Sequence, residues 1–371
     1  MKIGIPKEIK NNEFRVGITP EGAKKVVLQK HTVLVENNAG LGSGFTNNDY
    51  LNIGAEIISS PEEIYASADM IIKVKEPLQS EYELIREGQI IYTFFHFASS
   101  SSLTKAMIDC KAVCLAYETI TDDHGSLPLL TPMSEVAGRL ASQQGAKYLE
   151  SPQGGLGVLM GSVSGVSPAN VMVLGGGVVG KQSALVAAGM GADVTIYDID
   201  SNRIEELQKT MPKNVKTRLS SSDIIEKHLS KAHLVIGAVL VPGAKAPKLI
   251  TRKQLKIMQK GAVLVDVAVD QSGCFETTHT TTHENPTYVV DDILHYAVAN
   301  MPGAVPQTST KALTNVTIDY AVELANLGWQ NACKKYPHLA NGLNVVNGHV
   351  VNHSVADAFS MPFTPLEKIL K

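Results

Sequence analysis

Gly175, Gly177 and Gly180 stand in G-x-G-x-x-G spacing within NVMVLGGGVVG, and Asp198 closes the next apolar run, ADVTIYD. Such a set suits a dinucleotide. The first glycine permits a tight turn, the second lets a pyrophosphate approach the backbone, and the third lets helix and strand pack closely. The helix start meanwhile turns its N–H groups toward the phosphates. A carboxylate at Asp198 accepts from both ribose hydroxyls and repels a 2′-phosphate, which favours NAD over NADP. Four further residues could do chemistry on a substrate: Arg15, Lys75, His96 and Asp270. A lone histidine in an aromatic run such as FFHFA is more commonly a satisfied core residue, and Arg15 or Lys75 alone would be a solvated charge. Together they offer two cations, an acid/base and a carboxylate, a combination suited to oxidising a small anionic substrate.

The elements that must position these residues alternate between short apolar strands and helices. Strands are expected at Lys2–Ile5, Thr32–Glu36, Met70–Val74, Gln89–Phe97 and Ala112–Tyr117, with helices between them. Thr19-Pro20-Glu21 is a helix start, an N-cap followed by proline and an acid. A helix from Thr131 to about Leu149 leads through a glycine-rich connection to the Val171–Leu174 strand, and Val194–Tyr197, Leu234–Gly237 and Ala262–Ala268 follow. This α/β alternation predicts two doubly wound parallel-sheet (Rossmann-like) domains linked by long helices, with a cleft between them. Ligands of such sheets bind beyond the carboxyl ends of the strands. Lys75, His96 and Asp270 occupy such ends. From Thr310 onward the chain reads as helices without a sheet of their own, Leu313–Leu327 and Pro365–Leu370, which must pack on the N-terminal sheet. The expected division is therefore discontinuous: residues 1–130 with 305–371 as the substrate domain, and residues 131–304 as the dinucleotide domain.

Composition narrows the class. The chain has 371 residues, 44% hydrophobic and 19% charged, with a net charge of −3. No basic field invites nucleic acid or an anionic membrane. No run is long enough for a membrane span, and the opening MKIGIPKEIK lacks the apolar core of a signal peptide. Four scattered cysteines make no disulfide framework, so a cytoplasmic location is expected. His279 and His283, in THTTTH, have a spacing that binds metals on a helix, but the threonines between them argue for a polar loop.

The segments MKIGIPKEIKNNEFRVGITP, KVKEP, FFHFA, LGGGVVG, DVAVDQSG and VANMPGAVPQTSTKAL, in this order, resemble the alanine dehydrogenase family (alanine dehydrogenase and transhydrogenase N-terminal-like proteins). The resemblance runs from Met1 to about Pro365. It implies NAD-dependent, reversible oxidative deamination of L-alanine to pyruvate and ammonium by a homo-oligomer, usually a hexamer. Arg15 would clamp the substrate carboxylate, Lys75 would donate to the carbonyl oxygen of pyruvate, and His96 would be the general acid/base. Asp270 would handle protons and water during imine hydrolysis. Along the cofactor the resemblance implies Ser134, Val178, Val179, Asp198, Arg203, Ser220, Val239 and Leu240. It adds Val267, Ala268, Val269 and Asp270, and then Val298, Ala299, Asn300 and Met301. At His279 the family would have an arginine reaching toward the cofactor.

Two other readings compete. The nucleotide-binding subunit of a proton-translocating transhydrogenase would share the architecture and need no amino-acid pocket. A non-catalytic NAD-binding sensor would keep Gly175–Asp198 and have no use for Arg15, Lys75, His96 and Asp270.

Overall fold

The computed structural model describes residues 1–239 and 246–370. The chain divides into two compact units, Met1–Met133 with Val305–Lys371, and Ser134–Ala304. Each is built on a sheet whose strands are short, apolar and mostly parallel, with helices in the connections, an α/β Rossmann-like arrangement.

In the first unit, β1 (Lys2–Ile5), β2 (Thr32–Glu36), β3 (Glu56–Ile58), β4 (Met70–Ile72), β5 (Ile90–Thr93) and β6 (Val113–Ala116) run parallel. Their order is β3-β2-β1-β4-β5-β6, so the winding reverses between β1 and β4. Two strands late in the chain, β14 (Leu343–Val346) and β15 (His349–Val350), extend the β6 edge antiparallel. The C-terminal region therefore does contribute to a sheet, contrary to expectation. Its signal was Asn347-Gly348 between apolar residues, a hairpin turn in which both residues have positive φ. Pro365–Leu370 holds only a short 3₁₀ turn, Leu366–Lys368. Helix α1 (Pro20–Leu28) starts as anticipated, with the Thr19 hydroxyl accepting from the Gly22 amide. The late helix Pro306–Lys335, broken at Gly328 (φ 73°), buries Leu313, Ile318, Ala321 and Leu324 in one core with Ile3, Val33, Val35 and Tyr92.

In the second unit, β7 (Asn170–Leu174), β8 (Asp193–Asp198), β9 (Val215–Leu219), β10 (Leu234–Gly237), β11 (Val263–Asp266) and β13 (Ile293–Tyr296) are parallel, and β12 (Thr287–Val290) pairs antiparallel with β13. The order β9-β8-β7-β10-β11-β13 repeats the winding of the first sheet, with its reversal between β7 and β10. Among the described residues, no helix is long and apolar enough to cross a membrane.

Candidate active site

Three of the four expected substrate residues lie past the carboxyl ends of the first sheet: Arg15 beyond β1, Lys75 beyond β4 and His96 beyond β5. These strands flank or adjoin the reversal of winding, where open sheets leave a crevice. His96 is not inside a strand, as FFHFA suggests, because β5 stops at Thr93. The next residues divide between two cores. Phe94 joins one, while Phe95 and Phe97 stack at 4.4 Å in the other. His96 is thereby left exposed, its backbone left-handed (φ 53°) and its ring parallel to Phe94 at 5.8 Å.

Each of these residues is held by a glutamate that sequence reasoning did not single out. The Glu118 carboxylate accepts the amide N–H groups of His96 (2.6 Å) and Phe95 (3.2 Å), fixing the left-handed turn. Glu8 Oε1 accepts the amides of Val74 (2.6 Å) and Lys75 (3.2 Å). Behind it, the fully buried Lys73 ammonium sits 3.2 Å from Glu8 and 2.9 Å from Glu81, and Tyr65 donates to Glu81 at 2.8 Å. Burial pushes the Glu8 carboxyl up; Lys73 would be pushed down by burial but stays charged between its two carboxylates. Burial also opposes ionisation of Glu76, yet Lys75 and Lys10 hold it below the usual carboxylate range. Glu13 grips Arg15 with two bonds, Nε to Oε1 at 2.7 Å and Nη2 to Oε2 at 2.5 Å. Arg15 Nη1 lies 3.3 Å from Met133 Sδ. The segment itself is pinned by the Val16 amide on Thr310 Oγ1 and by Ser43 Oγ on the Phe14 carbonyl. The signal for these glutamates was weak, since an acid near a strand end reads as a solvated charge.

The residues expected along a dinucleotide are carried by the second unit in the same way. Gly175 follows β7 with φ 104°, and a Cβ there would lie 2.7 Å from the Ala238 carbonyl. A Cβ on Gly180 would collide with the Gly175 carbonyl, so the third glycine brings helix α3 (Val178–Gly189) onto the turn. Gly177 is different: nothing lies within 4 Å of its Cβ direction, and as the N-cap of α3 it makes no side-chain cap bond. Beside an uncapped helix start led by Val178 and Val179, that opening fits a pyrophosphate. The Asp198 carboxylate, at the end of β8, accepts from the Gly176 amide at 2.6 Å and from Asp200 at 2.9 Å. Arg203, in the first turn of the helix Ser201–Thr210, pairs with Glu206 at 2.6 Å. Ser220 follows β9, its amide bonded to the Asp198 carbonyl, and Val239 follows β10. Leu240 lies outside the described residues. Ser134 sits on the helix Thr131–Tyr148, which packs on α3 through Gly138, Ser142 and Ser183.

Val267, Ala268, Val269 and Asp270 follow β11, which stops at Asp266 rather than at Ala268. Asp270 is exposed on a 3₁₀ turn, Val269–Gln271. The turn is stapled from inside by Asp266, only 1% exposed, which accepts the amides of Ala268 (3.0 Å) and Cys274 (2.8 Å) and the Thr278 hydroxyl (2.5 Å). Burial pushes the Asp266 carboxyl up, against those hydrogen bonds. Val298, Ala299, Asn300 and Met301 follow β13, with Asn300 left-handed (φ 58°). They run beside the loop carrying His279 and His283: Thr281 bridges Val298, and His283 Nε2 is 3.2 Å from the Asn300 carbonyl. That loop is irregular, as the threonines suggested, and His279 stacks on Tyr288 at 3.6 Å.

Comparison with known proteins covers nearly the whole chain. Residues 4–137 match the family model "Alanine dehydrogenase/PNT, N-terminal domain", and residues 141–353 match "Alanine dehydrogenase/PNT, C-terminal domain". A protein named alanine dehydrogenase from Methanococcus maripaludis is 53% identical over 371 residues, the full length of both chains. A solved L-alanine dehydrogenase superposes with a TM-score of 0.94 at 47% identity, covering 97% of this chain and 99% of that one. A transhydrogenase from Sinorhizobium meliloti shares the fold, with a TM-score of 0.83 at 24% identity over 95% of this chain and 100% of that one. On these matches, the chain belongs to the alanine dehydrogenase/PNT family.

Proposed function

We propose that the protein catalyses the reversible NAD-dependent oxidative deamination of L-alanine to pyruvate and ammonium. One observation carries the reading: Arg15, Lys75 and His96 follow the carboxyl ends of three strands at and beside the winding reversal of one sheet. Full-length likeness to proteins named alanine dehydrogenase supports it. The first unit takes the substrate and the second takes the dinucleotide.

Arg15 holds the substrate carboxylate, and Lys75 donates to the oxygen that is the carbonyl of pyruvate and the hydroxyl of the carbinolamine. His96 takes the proton released as water adds to the imine carbon and returns one to the departing amine, as a histidine does near neutral pH. Asp270 orders the water and shares its protons. Bound NAD supplies the hydride acceptor. The chain's part toward it is the open Gly177, the uncapped start of α3, and Asp198 for the ribose hydroxyls. The net change is alanine, water and NAD to pyruvate, ammonium, NADH and one proton. A homohexamer and a cytoplasmic location belong to the same proposal; light scattering of the purified protein tests the first.

The decisive experiment follows NADH absorbance with L-alanine at mildly alkaline pH, with NAD against NADP and with a His96→Ala variant beside the native chain. Turnover with NAD that collapses in the variant is expected, by about 10²–10⁴-fold. NADH binding without amino-acid oxidation would overturn the reading in favour of a transhydrogenase-like subunit or a sensor.

A further inference from the structure

Glu13 and Arg15, with one residue between them in sequence, pair through their side chains. Arg15 Nε and Nη2 meet the two Glu13 oxygens at 2.7 and 2.5 Å, and the Arg15 amide adds a third bond to Oε1 at 3.1 Å. Both side chains are buried, 2% and 0% exposed. This fixes more than charge. A guanidinium held by two parallel bonds has its plane set by the carboxylate, and only rotation of the whole pair can re-aim it. The grip occupies the Nε/Nη2 edge, so a two-bond hold on a ligand carboxylate falls to the Nη1/Nη2 edge. On that side Nη1 lies 3.3 Å from Met133 Sδ.

We propose that Glu13 is a positioning residue: it aims the Nη1/Nη2 edge of Arg15 at the substrate carboxylate and thereby sets the affinity for pyruvate and alanine. The proposal rests on Arg15 as the carboxylate holder. A lysine at position 15 cannot meet both Glu13 oxygens and still present two coplanar donors. Coupling between the two positions follows.

The test measures steady-state KM and kcat for pyruvate, with NADH and ammonium in excess, for the full chain and for Glu13→Gln, Arg15→Lys and the double variant. NADH binding by fluorescence and the melting temperature are measured alongside. The glutamine keeps the shape but turns an amide donor against Nη2. Its KM should rise between about 10- and 100-fold, with kcat falling less and NADH affinity unchanged. The double variant should be no worse than the worse single one. An unchanged KM in Glu13→Gln with a raised KM in Arg15→Lys overturns the role of Glu13 and leaves that of Arg15 standing. An unchanged KM in both sinks the carboxylate assignment itself, and strictly additive effects make the residues independent and overturn the proposal. Should Glu13→Gln not fold, Glu13→Asp carries the comparison: it keeps the charge but is one methylene short of the double bond. A native KM there overturns the proposal.

Discussion

His96 combines exposure with a fixed backbone, and the two have separate causes. Phe94 in one core and Phe95 and Phe97 in the other leave the imidazole the outward direction, while Glu118 satisfies the amides that the left-handed turn exposes. A left-handed backbone is costly for a non-glycine residue and persists where surrounding bonds over-determine it. Glu118→Ala removes the acceptor without touching the ring. We expect kcat for alanine oxidation to fall about 100-fold, the cost of a misplacement near 1 Å, with NADH affinity intact. Stopped-flow turnover and a fluorescence titration of NADH measure the two separately. Native turnover would mean that the phenylalanines alone hold the turn. The carbonyl side supports the same geometry, since Ser99 donates to the His96 oxygen through both its amide and its hydroxyl.

At the scale of elements, the glycine turn makes a sharper prediction than its spacing does, because the structure separates its three glycines. Gly177→Ala places a methyl in open space, so the melting temperature should stay within a few degrees while NADH binding weakens at least tenfold. Gly180→Ala drives the same methyl into the Gly175 carbonyl and should cost about 1–3 kcal/mol of stability, read by urea unfolding. Equal destabilisation by both would remove the distinction. That turn was legible in the sequence because strand, glycines, helix and acid follow in a fixed order. β9 was not: VKTRL is mostly exposed and charged at an edge, so no apolar alternation marks it. Nor was β3, three residues long and also an edge. Lys75, His96 and Asp270 could be picked out by type and position at strand ends, and Arg15 only in their company and through the family resemblance. Glu8, Glu13, Glu118 and Asp266 could not, since what distinguishes them is the set of amides and cations that folding brings to their oxygens.

The whole molecule carries buried thiols and phenols whose protons are held by burial, and this sets its behaviour in base. Burial pushes Cys333 from 9.0 to about 12, and raises Cys114 and Cys274 well above the same ordinary value. Tyr65, Tyr92 and Tyr117 are raised well above 10.0. For such groups the unfolded chain loses its proton first. Above the unfolded value the native state binds more protons, so stability falls as pH rises until the folded group ionises too. Between pH 9 and 10 the unfolded thiols give up most of their protons while the unfolded phenols only begin to, so each thiol contributes more to the loss there than each phenol does. We therefore expect the melting temperature to drop steadily from pH 9 upward, and more steeply above 10 as the phenols join. Cys333→Ala should lower the melting temperature slightly at pH 7 and make the decline from pH 9 to 10 shallower by one proton's worth. Scanning calorimetry at fixed ionic strength reads both, and a slope identical to that of the native chain would refute the assignment. The window bears on function. Alanine oxidation releases a proton and is drawn forward by base, so the conditions that favour it are those in which the buried thiols erode the fold.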